Sequence, residues 1–227
     1  MKAIIFDCDG VLVDSEVVIM KIECAILRKH GLDYTERQFF DKFLGVSGDI
    51  YEDIVRHDFK VATGKDIDEE LLQYLKKHTH DDMYGQLDAI SGMANFIKEF
   101  AHIPMAVASN SYGSALLKKL QATGLDTYFT PHIYSSDNVK NPKPAPDLYL
   151  HAARSLNIAP EHCVVVEDSP TGATAAISAG MTVIGFAGAG HCDQKQIDGL
   201  YDVGAYDVVN HANDLSTLLN GLYKKAV

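Results

Sequence analysis

Two aspartates, Asp7 and Asp9, end a short apolar run in the stretch IIFDCDGVLVD (4–14). In an extended strand, residues i and i+2 project to the same side. Two like charges would then face each other at the carboxyl end of the strand. Such a pair persists if one group is protonated or a cation lies between them. A hard cation that takes oxygen ligands, such as magnesium, suits two carboxylates. The D-x-D-G spelling also suggests a calcium loop, but counted from Asp7 the twelfth position is Val18, not a glutamate. A purely structural pair at a strand end is the simpler alternative, and these two residues alone leave it open.

Three further segments bear on that alternative. At 108–111 the chain reads ASNS, with Ser109 and Asn110 between an apolar run and a helical pattern starting near Gly113. A hydroxyl, an amide and free backbone N–H groups at a helix N-terminus make an anion site, although Ser and Asn also serve there as plain caps. At 141–147, NPKPAPD sets Lys143 between two prolines. These deny it a helix and predict an extended, rigid presentation. A lysine so held can pin a phosphate, whereas most loop lysines meet only water. At 164–170, VVVEDSP brings Glu167 and Asp168 to the end of another apolar run, before a helix capped by Ser169 with Pro170 in first position. Carboxylates, an anion site and a lysine gathered at one sheet edge describe metal-assisted phosphoryl transfer.

The elements that must deliver these groups are short apolar runs: Lys2–Phe6, Pro104–Ala108, Cys163–Val166, Thr182–Phe186 and Tyr206–Val209. Helical patterns follow at Gly113–Thr123 (stopped at Gly124), Thr171–Ala179 (stopped at Gly180) and Leu215–Lys224. Continuous rather than alternating apolar runs predict strands buried on both faces of a parallel sheet. The fold class expected is α/β, an open parallel Rossmann-like sheet with helices on both faces. Its ligands would lie beyond the carboxyl ends of the strands. Residues 16–87 break the alternation. Val17–His30, before Gly31, and the Leu71, Leu72, Leu75 pattern read as helices, with no strand among them. The chain thus divides into an α/β core of 1–15 and 88–227 and a helical insert at 16–87.

With 227 residues, 47% of them hydrophobic, the chain can bury a core and carry such an insert. A formal charge of −11 without a basic patch argues against nucleic acid as a partner. It also means that local cations would have to hold an anionic substrate against the overall field. No run approaches the roughly 20 apolar residues of a membrane span. The N-terminal run, broken by Asp7, is not expected to act as a signal peptide, and no membrane partner and a cytoplasmic location are expected. Cys8, Cys24, Cys163 and Cys192 form no C-x-x-C pair and are expected to stay reduced.

Taken together and in order, DCDGVLVD, ASNS, KPAPD and EDSPTG resemble the haloacid dehalogenase-like superfamily. The branch is the one that includes phosphoglycolate phosphatase, β-phosphoglucomutase and small sugar-phosphate phosphatases. The insert is similar to that family's helical cap, which governs substrate specificity. The resemblance implies a magnesium-dependent phosphatase acting on a small phosphorylated metabolite, a sugar phosphate or related phospho-acid. Asp7 would be the nucleophile and form an aspartyl-phosphate. Asp9 would protonate the leaving oxygen and later deprotonate the attacking water. Ser109 and the Asn110 backbone would hold phosphoryl oxygens, and Lys143 would neutralise phosphate and nucleophile together. Magnesium would be bound by Asp7, the Asp9 carbonyl and Asp168, supported by Glu167. Because Asp9 supplies an acid, carbon–halogen cleavage, which needs none, is disfavoured. A monomer is expected.

A phosphomutase of the β-phosphoglucomutase type is the nearest alternative; its cap carries an arginine after GVS, where this chain has Gly48 and Asp49. Phosphonate hydrolysis would need a cap lysine such as Lys42, whose surroundings show no signature for it. A non-catalytic binding protein is disfavoured because every catalytic position is filled. His78 and His80, beside Asp81 and Asp82, could bind a transition metal but read better as the solvated end of a helix. His191-Cys192-Asp193 reads as a loop. Gly185, Gly188 and Gly190 have the wrong spacing for a dinucleotide fingerprint. Tyr51, Arg56, Lys76 and Lys77 could meet substrate or simply face water.

Overall fold

The computed structural model describes residues 1–46 and 48–224; Ser47, within the GVS stretch, lies outside them. The chain opens with β1 (Ala3–Phe6), leaves the sheet at Asp14 for a separate helical unit, Ser15–Leu87, and returns at Asp88.

The helical unit holds α1 (Ser15–Lys29), α2 (Glu36–Phe43), α3 (Gly48–Thr63) and α4 (Glu69–Met83). Its helix starts are set by local chemistry. Thr35 and Gln38 form a reciprocal capping box on α2, and Asp68 accepts the Leu71 N–H at 2.7 Å on α4. Leu27, Phe39, Phe43, Val55, Leu72 and Leu75 form its core. One carboxyl is buried in that core. Glu23 accepts hydrogen bonds from the Tyr51 hydroxyl at 2.6 Å and the Thr79 hydroxyl at 3.2 Å. Burial pushes its pKa up to about 7, against the lowering effect of both hydrogen bonds.

After the return come α5 (Met93–Glu99), β2 (Met105–Ser109), α6 (Gly113–Ala122), α7 (Asp126–Phe129), β3 (Ile133–Ser135) and α8 (Asp147–Ser155). They are followed by β4 (Cys163–Glu167), α9 (Pro170–Ser178), β5 (Thr182–Phe186), α10 (Gln194–Asp202), β6 (Asp207–Val209) and α11 (Ala212–Lys224). The strands pair in parallel in the order β3-β2-β1-β4-β5-β6. Side chains of β1 divide between two apolar layers. Ala3 and Ile5 pack with Leu148 and Tyr149 of α8 and Ala173 and Ala176 of α9. Phe6 meets Phe96 of α5 and Phe129 of α7, with ring centroids 5.9 and 5.6 Å apart. Both faces are covered, which is why the runs are apolar throughout.

The Rossmann-like α/β architecture expected from the sequence is present. β3 was not foreseen: it is three residues long, half-buried and at the sheet edge, so no apolar run marks it. Among the described residues no helix is long and apolar enough to cross a membrane.

Candidate active site

β1 lies between β2 and β4, with Phe6 level with Val107 on one side and Val166 on the other. The residues that follow these three strands therefore emerge side by side at one sheet edge. Asp7 is the first residue past β1, and its N–H donates to the Val166 carbonyl at 3.0 Å. Lys143 Nζ donates to Asp7 Oδ1 and to Glu167 Oε1, each at 2.7 Å, and lies 4.6 Å from the centroid of the Tyr149 ring. Glu167 also accepts from the Tyr149 hydroxyl at 3.0 Å, and from the Ser169 N–H and hydroxyl at 2.9 and 3.0 Å. A Cβ on Gly172 would land on that carboxylate, so α9 can approach only with glycine there.

Burial disfavours the Lys143 ammonium, but Asp7 and Glu167 outweigh it and raise its pKa well above the usual lysine range. The Asp7 carboxyl is also raised. Burial is the main cause, Lys143 opposes it, and Glu167, Asp168 and Asp9 add to it. Carboxylates outnumber cations here, and burial alone does not relieve the excess charge.

Asp168 follows Glu167 and lies against Gly10, whose φ of +75° and lack of a side chain admit its carboxyl. Burial raises its pKa to about 6, partly offset by the His191 hydrogen bond. His191 is buried, with Nε2 3.2 Å from Asp168 Oδ2 and Nδ1 3.8 Å from Asp14 Oδ1. Burial works against its imidazolium, yet Asp14, Asp168 and Cys192 raise its pKa to about 12. The loop expected at 191–193 is correct only in outline, because His191 braces Asp168.

Asp9 faces a different cation. Lys119 Nζ, from α6, donates to both its oxygens at 2.6 and 2.8 Å, and the Ser111 hydroxyl donates to Oδ2 at 3.0 Å. Each of the two aspartates thus pairs with its own lysine. Between them, burial pushes the Cys8 thiol well up, which disfavours its thiolate. Ser109 is buried at the end of β2 and its hydroxyl accepts the Ser111 N–H at 3.1 Å. Asn110 departs, in its amide, from the anion site read from ASNS, while the backbone role implied by the resemblance is untouched. Its side chain holds the Lys143 backbone through two 3.0 Å hydrogen bonds, leaving only its backbone to serve an anion. Lys143 departs too. Its segment is a turn, closed by the Ala145 N–H on the Pro142 carbonyl at 3.0 Å, rather than extended.

A cavity of about 440 Å³ is lined by Asp7, Asp9, Ser109, Asn110, Lys143 and Glu167, among others. Beside it, oxygens of Asp7, Glu167 and Asp168 lie within 4.8 Å of one another. These are hard oxygen donors in an acid-rich cluster, and they fit a magnesium-type cation. Glu167 already accepts four hydrogen bonds, so Asp7 and Asp168 are the better-suited ligands.

Other sequence candidates lie in the helical unit. Tyr51 is committed to Glu23; Arg56 pairs with Glu69 at 2.5 Å, Lys76 with Glu52, and Lys42 with Asp58 at 2.7 Å. Lys77 is exposed. His78 and His80 pair with Asp82 and Asp81 at 3.3 Å on an exposed helix face. Sequence reasoning missed Lys119, Tyr149, Asp14 and Glu23. The one local sign of Lys119 is its place beside Leu116 and Leu120 on the apolar face of α6.

The fold is a parallel α/β core with acidic residues at the ends of β1 and β4. The family model for haloacid dehalogenase-like hydrolases matches residues 4–186, and the chain belongs to that family. It is 31% identical over 193 residues to the 6-phosphogluconate phosphatase of Escherichia coli K12, covering 84% of this chain and 85% of the relative. It is 30% identical over 181 residues to a phosphorylated carbohydrates phosphatase of Thermotoga maritima, covering 80% and 82%. Among solved structures, a HAD family hydrolase from Deinococcus radiodurans R1 with bound phosphate and sodium superposes with a TM-score of 0.85 at 32% identity, covering 96% and 95%.

Proposed function

We propose that the protein is a magnesium-dependent phosphatase that hydrolyses a small phosphorylated metabolite, a sugar phosphate or related phospho-acid. The observation that carries this reading is the Lys143 ammonium shared between Asp7 and Glu167, at the edge of a cavity lined by Asp9 and Ser109. The relatives named for 6-phosphogluconate and phosphorylated carbohydrates support the substrate class.

In this reading Asp7 attacks phosphorus and the ester P–O bond breaks, leaving a phosphoryl group on the Asp7 carboxylate. Lys143 and the Ser109 hydroxyl, with the Asn110 backbone N–H, hold the phosphoryl oxygens. Asp9 gives its proton to the departing oxygen. It then takes one from the water that attacks the phosphoryl group, which frees inorganic phosphate and restores Asp7. Magnesium, held by Asp7, the Asp9 carbonyl and Asp168 with Glu167 behind them, would neutralise charge as one anion approaches another. Selection among metabolites is assigned to the helical unit.

Asp7→Asn is expected to stop phosphate release across a panel of phosphomonoesters, and chelation is expected to stop it in the wild type until magnesium is restored. Turnover by Asp7→Asn would overturn the nucleophile assignment. Isomerised glucose 1-phosphate without free phosphate would favour a mutase instead.

A further inference from the structure

A lysine that does not line the cavity grips the residue proposed to move protons. Lys119 is buried on the apolar face of α6, between Leu116 and Leu120, where an ammonium is costly unless it is paired. Its Nζ reaches both oxygens of Asp9 at 2.6 and 2.8 Å, and the Ser111 hydroxyl at 3.2 Å. That hydroxyl donates to Asp9 Oδ2 at 3.0 Å, so three groups close a triangle. Asp9 and Ser111 line the cavity, whereas Lys119 stands behind them. The Asp9 side chain is 26% exposed and that of Lys119 11%.

We propose that Lys119 is a positioning residue for proton transfer: with Ser111 it fixes the Asp9 carboxyl in the orientation from which the leaving oxygen is served. Lys119 is not among the residues that line the cavity. The inference rests on the acid–base role proposed above for Asp9. It makes a claim that charge balance alone does not. Loss of Lys119 should matter in proportion to how much the leaving group needs a proton.

The test measures leaving-group release in a single turnover, with enzyme in excess, for two esters. One is 6-phosphogluconate, or the hexose phosphate the wild type cleaves fastest; its alkoxide must be protonated. The other is p-nitrophenyl phosphate, whose phenolate departs unaided. Lys119→Met is expected to slow the first by about tenfold or more and the second by less than about twofold. Lys119→Arg is expected to recover most of the difference, because it restores donors to both carboxylate oxygens. Equal losses on both esters, or no loss on either, would overturn the proposal. If Lys119→Met does not fold, Ser111→Ala decides it by the same ratio. Asp9→Asn is run in parallel; undiminished cleavage of the sugar phosphate by that variant would instead remove the acid–base reading beneath it.

Discussion

Glu167 accepts from the Lys143 ammonium, the Tyr149 hydroxyl, the Ser169 N–H and the Ser169 hydroxyl at once. Four donors hold this one carboxylate, and its constraint passes to Lys143 and so to Asp7. Gly172 is part of that arrangement because any Cβ there would occupy the place of the carboxylate. Gly172→Ala therefore forces Glu167 away from its donors. The expected outcome is a stability loss of about 1–3 kcal/mol, read as a lower denaturant midpoint. Phosphatase turnover is expected to fall more steeply than stability. An unchanged midpoint together with full activity would show that Glu167 is less tightly held than its hydrogen bonds imply.

Among the elements, α1 carries the most consequential buried charge of the helical unit. Glu23 is surrounded by apolar side chains, and among the described residues the Tyr51 and Thr79 hydroxyls reach it. Its folded pKa of about 7 stands above the ordinary 4.5. Between those values the folded unit holds a proton that the unfolded chain has released. Stability is then greatest below the lower value and falls as pH rises through the window, by up to roughly 1.4 kcal/mol per pH unit. Thermal melts or hydrogen exchange across α1, α3 and α4 are expected to show this decline. Glu23→Gln is expected to flatten it and to raise stability above pH 7, since the amide keeps the hydrogen bonds without a charge. A variant with the wild-type slope would assign the pH dependence elsewhere.

For the molecule as a whole, the net charge of −11 opposes the approach of any phosphate ester, while Lys143, the cation proposed to receive it, is buried. Salt screens the distant field and leaves buried pairs largely untouched. Raising ionic strength from about 10 to about 150 mM is therefore expected to increase kcat/KM for a dianionic substrate by a few-fold. A decrease over that range would mean that exposed cations steer the substrate and that the buried ones are not enough.

Much of this was already written locally in the chain. Apolar runs of four or five residues with helical patterns between them specify strands buried on both faces, because that periodicity reflects each segment's own surroundings. Asp7, Asp9, Glu167 and Asp168 were legible for the same reason, as acids placed where such runs stop. The tertiary structure decided which cation serves which acid. Lys143 lies 136 residues from Asp7, and Lys119 lies 110 residues from Asp9. It also decided that Tyr149 and His191 would brace acids, that Asn110 would spend its side chain on the Lys143 backbone, and that β3 would complete an edge. A lysine on a helix or a histidine in a loop has no local pattern of its own. Its role is set by what the parallel order of the strands brings into hydrogen-bonding or ion-pair distance, and that is a property of the folded sheet rather than of any segment.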